Sequence, residues 1–573
     1  MKIIGIHDGH NASVCLFEDG KIKFAIQEER LNKIKNYDGF PYLALEETLK
    51  KNRLSLEDID VFAISSLHMP SHKTKEEHLQ AYRNSSKLTS KIKWALKNTP
   101  IKSWYRKKRR KERIEEIKKA NIPLHKVTFV EHHTCHAYTA YWGSPFREKD
   151  VLVFTNDGAG DDLCGTVSIF YKDGRMERIQ EIPLSESIGR LYATITFLLG
   201  MVPLEHEYKL MGMAPYAPSS GAEKSYKALR NFYRDLGENG TLKRNNGIPN
   251  MFTILSILEK TLKYHRFDWI SAGIQKLLEE FLTNWIRYWI RETGIRTISL
   301  SGGVFMNVKA NKAIMELDEV EEIFIFPSCG DETNSIGACY YAYEQIMREA
   351  GKEIDIEPLG PFYLGGDFSD DYIEDFLRTY KFKEKLKIEY YEDIEKEIAQ
   401  LLARGEVVAR LKGRMEFGAR ALGNRSILAN PQDWDTINRI NKMIKKRDFW
   451  MPFAPSMLGE KVENYLIKPK RVNAPYMILT FDTKFEKRKS MRAAIHPYDG
   501  TARPQEVYRE WNEDYWRLIK YFEDITGEAV ILNTSFNLHG YPVVYSPEDA
   551  MFVLENSGLK TLALGNFLVR KEP

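Results

Sequence analysis

The sequence predicts a two-domain α/β protein in which the first domain is built from a duplicated unit. One observation is an order of strand, acidic glycine-containing turn, strand, hairpin and strand that occurs in residues 2–29 and again in 151–182. Another is the turn-rich stretch 358–370, which predicts a connector. The third is the length of 573 residues, which is enough for more than one core. We expect a first domain over 1–357 and a second over 371–573.

Each copy of the duplicated unit predicts three strands, separated first by a polar turn and then by a hairpin. The predicted strands span 2–6, 13–17 and 21–27 in the first copy and 151–155, 165–171 and 175–182 in the second. Asp8 lies in the polar turn of the first copy, and Asp157 lies in that of the second. Duplicated α/β domains with a cleft between their halves are typical of actin-like and sugar-kinase-like nucleotide enzymes, so we expect an actin-like first domain.

A third strand-turn-helix unit begins at Thr297 and contains Gly302, Gly303 and Asn307. Paired glycines after a strand let backbone N–H groups approach a phosphate or an adenosine at a helix N-terminus. A tight turn requires the same glycines, so the pattern alone leaves both interpretations open.

The second domain begins with predicted helices around 372–380 and 394–404, followed by a strand over 406–410. A further strand over 529–532 comes near its end. This alternation predicts one α/β domain of about 200 residues.

Composition excludes several protein classes. Hydrophobic residues make up 43% and charged residues 29%, which excludes a disordered chain. The five cysteines are an odd number and form no C-x-x-C pair, so neither a disulfide framework nor a zinc ribbon is indicated. The first residues lack the apolar region of a signal peptide, and no apolar stretch reaches spanning length. We expect a cytoplasmic protein without integral membrane association.

The chain has a net charge of +4, but residues 87–119 carry 14 Lys and Arg against three Glu, a local charge of +11. Apolar residues interspersed in this run predict an amphipathic helical insertion over 85–120. Three interpretations stay open: a solvated lid, a patch that binds a polyanion or an anionic acceptor, and a contact with a membrane surface.

Three histidines lie within five residues, and two of them, His132 and His136, share one helical face because they are four residues apart. Such a pair can bind one metal ion, although buried structural histidines are the alternative. Asp157 and Asp331 both lie in turns after predicted strands and can supply oxygen ligands. Two histidines and two carboxylates without a thiolate indicate Fe(II), Mn(II) or Zn(II).

The second domain contains a dense basic set within apolar and glycine-rich sequence. Its members are Lys412, Arg414, Arg420, Arg425, Lys445 and Arg447. Because the surrounding sequence is too apolar for a solvated stripe, we expect the arginines to face an anion through bidentate hydrogen bonds. Ser535 and Asn537 follow a predicted buried strand and offer hydroxyl and amide groups for a nucleotide or phosphate. A structural ion-pair network is the alternative.

Together these segments resemble the O-carbamoyltransferases of the NodU/CmcH family, which includes nodulation-factor and antibiotic carbamoyltransferases such as tobramycin carbamoyltransferase. The resemblance spans nearly the whole chain. The matching segments are His10–Ser13, Glu28–Arg30 with Lys35, His132–Ala137, Asp157–Gly160, Glu207–Tyr216, Ser301–Asn307, Gly413–Ile427, Thr501–Gln505 and Asn533–Asn537.

The resemblance implies a first domain similar to the universal threonylcarbamoyl-transferase subunit and a second domain similar to YrdC-type adenylate synthases. It implies that the second domain condenses carbamoyl phosphate with ATP, used together with Mg²⁺, to carbamoyl adenylate. The first domain would then move the carbamoyl group to an acceptor hydroxyl. Nitrogen donation stabilises a carbamoyl group, so a good AMP leaving group makes attack by an alcohol feasible.

By position, the resemblance also implies roles for individual residues. His132, His136, Asp157 and Asp331 would bind the metal, Asp8 would accept the proton of the acceptor hydroxyl, His10 would stabilise the oxyanion, and Lys35 would neutralise the adenylate phosphate. Gly302, Gly303 and Asn307 would hold adenosine. Lys412, Arg414, Arg420, Arg425 and Arg503 would bind carbamoyl phosphate, and Lys445, Arg447, Ser535 and Asn537 would bind ATP.

Four kinds of hydroxyl-bearing acceptor stay open: a sugar, an antibiotic, a nucleoside and a hydroxymethylated nucleic acid. Assembly into a homo-oligomer stays open as well. The enzymatic alternative is transfer of a threonylcarbamoyl-type group to tRNA, which the basic insertion favours. The non-enzymatic alternative is an actin-like nucleotide-binding scaffold. It leaves the coexistence of a histidine pair and a second anion site unexplained.

Overall fold

The structure, a computed structural model, describes residues 1–85, 87, 100–234, 240–241 and 243–572. The chain divides into unit 1, Met1–Glu28 and Asn36–Leu359, and unit 2, Glu29–Lys35 and Gly360–Pro573. The main division falls inside the stretch 358–370. One expectation needs correction: the segment Glu29–Lys35, which contains the short helix α1 (Glu29–Asn32), belongs to unit 2 and not to the first domain.

Within the described residues, unit 1 contains two five-stranded sheets. The strands of the first are β1 (Lys2–His7), β2 (Ser13–Glu18), β3 (Lys21–Gln27), β4 (Val61–Ser65) and β5 (Val127–Val130). Those of the second are β6 (Val151–Gly160), β7 (Leu163–Phe170), β8 (Met176–Pro183), β9 (Thr297–Ser301) and β10 (Glu322–Ile325).

The two sheets have the same topology, which confirms the duplication predicted from the sequence. Their strand orders are β3-β2-β1-β4-β5 and β8-β7-β6-β9-β10. In each sheet, three antiparallel strands are followed by two strands parallel to the first. Residues that follow parallel strands of one sheet lie at the same edge, which is where α/β folds place their sites.

Helices join and cover these strands. In unit 1 they are α2 (Tyr42–Asn52), α3 (Lys75–Arg83), α4 (Pro100–Lys119), α5 (His132–Gly143), α6 (Ile188–Leu198), α7 (Glu207–Met213), α8 (Ser219–Arg230), α9 (Leu255–Thr261), α10 (Phe267–Thr293), α11 (Val308–Met315) and α12 (Asn334–Glu349). Helix α4 occupies most of the insertion predicted over 85–120, whose residues 86 and 88–99 lie outside the described part of the chain.

Helices α5 and α12 pack closely in the interior of unit 1, because both are rich in small residues at their contacts. A Cβ atom on Gly337 of α12 would lie 2.0 Å from the carbonyl oxygen of Cys135 on α5. A Cβ atom on Gly5 of β1 would lie 1.8 Å from the carbonyl oxygen of Ser335 on α12. This close packing fixes α5, which carries the three histidines, against the ends of the strands.

Unit 2 is built around an eight-stranded sheet and a small three-stranded sheet. Its strands are β11 (Leu386–Tyr390), β12 (Val408–Leu411), β13 (Arg425–Ala429), β14 (Ala454–Leu458), β15 (Leu466–Ile467), β16 (Phe481–Thr483), β17 (Thr501–Ala502), β18 (Gln505–Val507), β19 (Val530–Ser535), β20 (Thr561–Leu564) and β21 (Phe567–Lys571). The large sheet has the order β11-β21-β20-β12-β13-β19-β14-β18 and mixes parallel and antiparallel pairs.

The helices of unit 2 that follow α12 are α13 (Asp370–Thr379), α14 (Ile394–Ala403), α15 (Asp435–Ile440), α16 (Glu513–Thr526) and α17 (Pro547–Glu555). Ile427, Leu532 and Leu562 on three strands share a buried apolar cluster with Met551 and Leu554 of α17. Unit 2 is therefore an α/β domain with its own core, as the alternation in the sequence predicts.

Among the described helices, none is both long enough and apolar enough to cross a membrane.

Candidate functional site

The two histidines and two aspartates proposed as metal ligands come together in unit 1. His132 and His136 project from the first turns of α5, Asp157 lies near the end of β6, and Asp331 begins the short 3₁₀ turn after β10. The Glu131 carboxylate caps α5 by accepting hydrogen bonds from the backbone N–H groups of His133 and Thr134. One ligand atom from each of the four residues lies within 4.8 Å of the others.

The distances within this cluster fit a single cation. His136 Nε2 lies 3.2 Å from Asp157 Oδ2 and 3.5 Å from Asp331 Oδ1, and His132 Nε2 lies 3.5 Å from both oxygens. Within the described chain, His132 Nε2 and Asp331 Oδ1 are buried without a hydrogen-bond partner. Buried polar atoms are normally satisfied, so these two atoms indicate a ligand between them. The donor set fits Fe(II), Mn(II) or Zn(II).

Electrostatics in the cluster also favour a cation. Burial opposes protonation of the imidazoles, but the carboxylates of Asp331 and Asp157 raise the pKa of His132 to about 10, and the same two carboxylates raise the pKa of His136. Against its own burial, Asp157 has its pKa held well below the usual value by the two histidines. A divalent ion would satisfy the two carboxylates in place of these protons.

Hydroxyl groups orient both histidine rings from outside the cluster. Ser66 Oγ lies 3.1 Å from His132 Nδ1, and Ser301 Oγ lies 3.2 Å from His136 Nδ1. These contacts leave both Nε2 atoms directed at the two aspartates, which is the arrangement that metal-binding histidines require. Ser301 ends β9 and begins the matching segment Ser301–Asn307, whereas Ser66, which directly follows β4, was not singled out from the sequence.

His133 takes no part in the cluster, as its helical position predicts. Its Nδ1 atom lies 2.9 Å from Thr155 Oγ1, and burial, together with the neighbouring His132, lowers its pKa to about 3. His133 is therefore a neutral structural histidine.

Asp8 and His10 follow β1, but Asp8 has a partner that the sequence did not reveal. Arg113 of α4 donates from Nε and Nη2 to the two carboxylate oxygens of Asp8, at 2.7 Å each. Despite burial, Arg113 holds the pKa of Asp8 below its usual value, which makes Asp8 a weak base. Burial lowers the pKa of His10, so its imidazole is neutral near pH 7.

The glycines at the end of β9 are explained by close packing. Gly302 has a φ of +108°, and a Cβ atom there would lie 2.3 Å from the carbonyl oxygen of Asn156. A Cβ atom on Gly303 would lie 3.1 Å from Asp157 Oδ1. Asn307 caps α11 and exchanges two side-chain hydrogen bonds with Gln275, of 2.8 and 3.0 Å. The tight-turn interpretation therefore accounts for Gly302 without a ligand.

Most cations of the basic helix α4 have carboxylate partners within unit 1. Lys102 and Arg106 pair with Asp162, Arg109 pairs with Glu112, Lys118 pairs with Glu115, and Lys119 pairs with Glu116. Glu112, Glu115 and Glu116 are already counted in the local charge of +11, so only Asp8 and Asp162 lower it further, and the described part of the helix stays positively charged.

In unit 2, five of the predicted basic residues form a cluster of like charges. Its members are Lys35, Arg420, Lys445, Arg447 and Arg503, and we call it the cation cluster. Burial and the charges of Arg420 and Arg447 hold the pKa of Arg503 well below its usual value. Burial and the charges of Arg447 and Lys35 do the same for Lys445. Lys35 thus lies with the cations of unit 2, whereas the sequence placed it with the transfer site of the first domain.

Within the cation cluster, Lys445 is buried and, among the described residues, contacts only uncharged oxygens. It donates to Ser535 and Asn537, with 2.7 Å to Asn537 Oδ1 and 3.1 Å to Ser535 Oγ. A buried lysine that lies among other cations is stabilised by an anion, which makes this cluster a candidate phosphate site.

Three other predicted anion ligands make contacts within the protein. Arg425 is buried and donates to the carbonyl oxygens of Tyr545, Gly413, Asn424 and Gly366. Arg414 donates to the carbonyl oxygens of Gly365 and Leu364. Lys412 pairs with Glu395 at 2.8 Å and with Asp514 at 3.1 Å. These contacts hold loops of unit 2 together, and the role of the three residues as anion ligands stays a prediction.

Glu416 organises the glycine-rich loop between β12 and β13, and sequence reasoning missed it. Its Oε1 atom accepts backbone hydrogen bonds from Leu422, Asn424 and Arg425 at 2.6, 3.2 and 3.1 Å. A lone glutamate among arginines was the available signal. Its partners turn out to be backbone N–H groups.

Two family models match this chain, one before and one after the division between Leu359 and Gly360. The model described as Carbamoyltransferase N-terminus matches residues 2–340, and the model described as Carbamoyltransferase C-terminus matches residues 399–571. The nodulation protein NolNO of Sinorhizobium fredii is 30% identical over 98% of this chain and 79% of its own. Nodulation protein U of Rhizobium tropici is 25% identical over 94% of this chain and 91% of its own.

A protein of Methanocaldococcus jannaschii, described as uncharacterised, is 32% identical over 99% of both chains. Among solved structures, full-length HypF in a phosphate- and nucleotide-bound form covers 61% of this chain and 56% of its own, with 14% identity and a TM-score of 0.36. That likeness is too weak to carry an argument. The two family models together match most of the sequence, and the chain therefore belongs to the carbamoyltransferase family.

Proposed function

We propose that the protein is an ATP- and carbamoyl-phosphate-dependent O-carbamoyltransferase that makes carbamoyl adenylate in unit 2 and transfers the carbamoyl group in unit 1. The observation that carries this proposal is the coexistence of a His/Asp cluster in unit 1 with a cation cluster in unit 2 whose member Lys445 is buried. Membership of the carbamoyltransferase family supports transfer of a carbamoyl group. The same proposal assigns an actin-like fold to unit 1 and a YrdC-like fold to unit 2.

In unit 2, the cation cluster would bind the phosphates of carbamoyl phosphate and of ATP, which is used as its Mg²⁺ complex. Water would release phosphate from carbamoyl phosphate and leave carbamate. A carbamate oxygen would then attack the α-phosphorus of ATP, and pyrophosphate would leave as carbamoyl adenylate forms. Negative charge increases on the oxygens during this displacement, so Arg447, Arg503 and Lys445 would stabilise the transition state.

In unit 1, the acceptor hydroxyl would attack the carbamoyl carbon, and AMP would leave. His132, His136, Asp157 and Asp331 would hold a divalent metal, which supplies charge stabilisation for the adenylate when it is bound. Because Arg113 weakens Asp8 as a base, the neutral imidazole of His10 is the group that accepts the hydroxyl proton, a role that was expected of Asp8 from the sequence. Asp8 stays ionised in its pair with Arg113.

We favour a small hydroxyl-bearing acceptor over a nucleic acid. Several cations of α4, which suggested a polyanion, are held in ion pairs with Asp162, Glu112, Glu115 and Glu116. These pairs would have to break before the same side chains could contact a phosphate backbone, which weighs against a polyanion. The five cysteines are buried and form no disulfide, which supports a reducing, cytoplasmic location.

The test is to incubate the full chain with ¹³C-carbamoyl phosphate and Mg-ATP and to analyse the products by mass spectrometry. We expect carbamoyl adenylate or its breakdown product AMP, together with pyrophosphate, only when both substrates are present. A panel of sugars and nucleosides added to the same reaction should then reveal the acceptor by the mass of one carbamoyl group. Absence of both carbamoyl adenylate and AMP would contradict the proposal.

A further inference from the structure

Arg113 places its guanidinium where two parallel strands of the first sheet end. Besides its bidentate contact with Asp8, which follows β1, it donates to the carbonyl oxygens of Ser65 and Ser66 at 2.8 and 2.7 Å, where β4 ends. The side chains of Arg113 and Asp8 are each 2% exposed. A residue of the basic insertion therefore reaches the interior of the transfer domain.

The two serines bound by Arg113 each contact a histidine through their hydroxyl group. Ser65 Oγ lies 2.7 Å from His7 Nδ1, and Ser66 Oγ lies 3.1 Å from His132 Nδ1. Ser66 has a φ of +65°, in the left-handed region that a serine adopts only when its surroundings hold it there. The hydrogen bond from Arg113 to its carbonyl oxygen is one such restraint. Ser66 thus links α4 to a candidate metal ligand, because its carbonyl oxygen accepts from Arg113 and its hydroxyl contacts His132.

We propose that Arg113 is a positioning residue of the transfer site, which orients Asp8 and, through Ser66, the imidazole of His132. This inference rests on the function proposed for unit 1. Only arginine can supply the planar fork for Asp8 together with further N–H groups for two carbonyl oxygens. Helix α4 is accordingly part of the transfer site, and its basic character near Arg113 serves unit 1 itself.

A purely structural role for Arg113, as an anchor of α4, is the competing explanation, and the helix provides a matched control. Arg109 lies one turn earlier, its side chain is 9% exposed, and it donates to the carbonyl oxygens of Met69 and Pro70. It also pairs with Glu112. Arg109 thus anchors the same helix through similar contacts, none of which involves Asp8, Ser65 or Ser66.

The experiment compares full-length wild type, Arg113→Met, Arg113→Lys and Arg109→Met by titration with Co²⁺, followed by calorimetry and by the visible absorption spectrum of bound Co²⁺. Loss of an outer-shell contact typically lowers metal affinity 10- to 100-fold. We expect such a loss and an altered spectrum for Arg113→Met, a smaller loss for Arg113→Lys, and wild-type behaviour for Arg109→Met.

Arg113→Met leaves the Asp8 carboxylate buried without its partner, which can prevent folding. The double variant Asp8→Asn/Arg113→Met removes both charges together, and it should fold while still showing weakened Co²⁺ binding, because the support of Ser66 is lost. A second readout is the ¹⁵N spectrum of selectively labelled histidines in the metal-free protein. The resonance of His132 is assigned as the one that is missing in His132→Ala. The double variant should shift this resonance, and Arg109→Met should leave it in place.

Unchanged Co²⁺ affinity and unchanged histidine resonances in the double variant would overturn the proposal. An equal loss of Co²⁺ affinity in Arg109→Met would also overturn the proposal, since any loosening of α4 would then be enough to weaken metal binding. If the wild type binds no Co²⁺, that result counts against the metal chemistry of the proposed function. The histidine resonances then decide the role of Arg113 by themselves.

Discussion

Gly160 lies so close to the imidazole of His132 that a Cβ atom at position 160 would stand 2.0 Å from Cδ2 of the ring. The end of β6 can therefore approach the cluster only with a glycine at this position. Gly158, two residues earlier on the same strand, has no atom within 4 Å of the corresponding Cβ position. The pair offers a matched test of whether the ring of His132 must stay where the structure places it.

We predict that Gly160→Ala lowers divalent metal affinity about 10- to 100-fold, because it displaces a ligand whose orientation is set by its neighbours. Metal content and Co²⁺ titration measure this effect. Gly158→Ala should bind metal as the wild type does. Equal affinity in the two variants would show that His132 is not a ligand.

Arg447→Met should weaken the binding of pyrophosphate at least tenfold. The reason is that Arg447 belongs to the cation cluster and also lowers the pKa of both Arg503 and Lys445 through like-charge repulsion. Because the substitution also removes this repulsion, the melting temperature of the ligand-free variant should be no lower than that of the wild type. Thermal melts with increasing pyrophosphate measure both effects. Lys442→Met removes the same charge from an exposed position and should change neither.

Arg425→Met should behave in the opposite way and destabilise unit 2 by about 3 kcal/mol or more. Four backbone carbonyl oxygens would lose their buried donor. Urea denaturation of the variant beside Arg447→Met measures the difference. If Arg425→Met instead kept full stability and lost only phosphate binding, Arg425 would be an anion ligand after all.

Glu207 predicts a pH dependence of stability. Burial raises its pKa to about 7, from an ordinary value near 4.5, so the folded state holds this proton more tightly than the unfolded state. The resulting stabilisation is complete below about pH 4.5 and is lost as the pH rises through 7, which amounts to about 3 kcal/mol. Relative to the wild type, Glu207→Gln should therefore gain stability between pH 5 and pH 8.

Unfolding free energies from urea titrations at the two pH values measure this gain. The same substitution at the exposed Glu148 is the control, and its difference from the wild type should be the same at pH 5 and pH 8. A Glu207→Gln difference that does not change with pH would mean that Glu207 is ionised in the fold.

Periodicity and turn residues were enough to predict most strands that position the sites. The predicted strands 2–6, 21–27 and 151–155 correspond to β1, β3 and the first half of β6. The meeting of the two histidines with the two aspartates was also predictable, because a helical i, i+4 histidine pair and aspartates near strand ends obey simple geometric rules. Patterns of this kind involve only a few residues that are close together in the sequence.

Contacts over long sequence distances were not predictable in this way. Asp8 and Arg113 are 105 residues apart, and no local pattern links them. The contacts of the basic set of unit 2 were not predictable either, because charge alone does not reveal that Arg425 faces carbonyl oxygens while Arg503 lies near other cations. Lys35 was misplaced because a seven-residue segment leaves one unit and packs with the other.

The central claim is that one chain carries two separable reactions, and carbamoyl-phosphate-dependent exchange of labelled pyrophosphate into ATP tests it most directly. The wild type should catalyse this exchange. His136→Ala should retain it while losing metal and carbamoyl transfer, and Arg447→Met should lose it. Absence of exchange in the wild type, or its loss in His136→Ala with unit 2 still folded, would contradict the account.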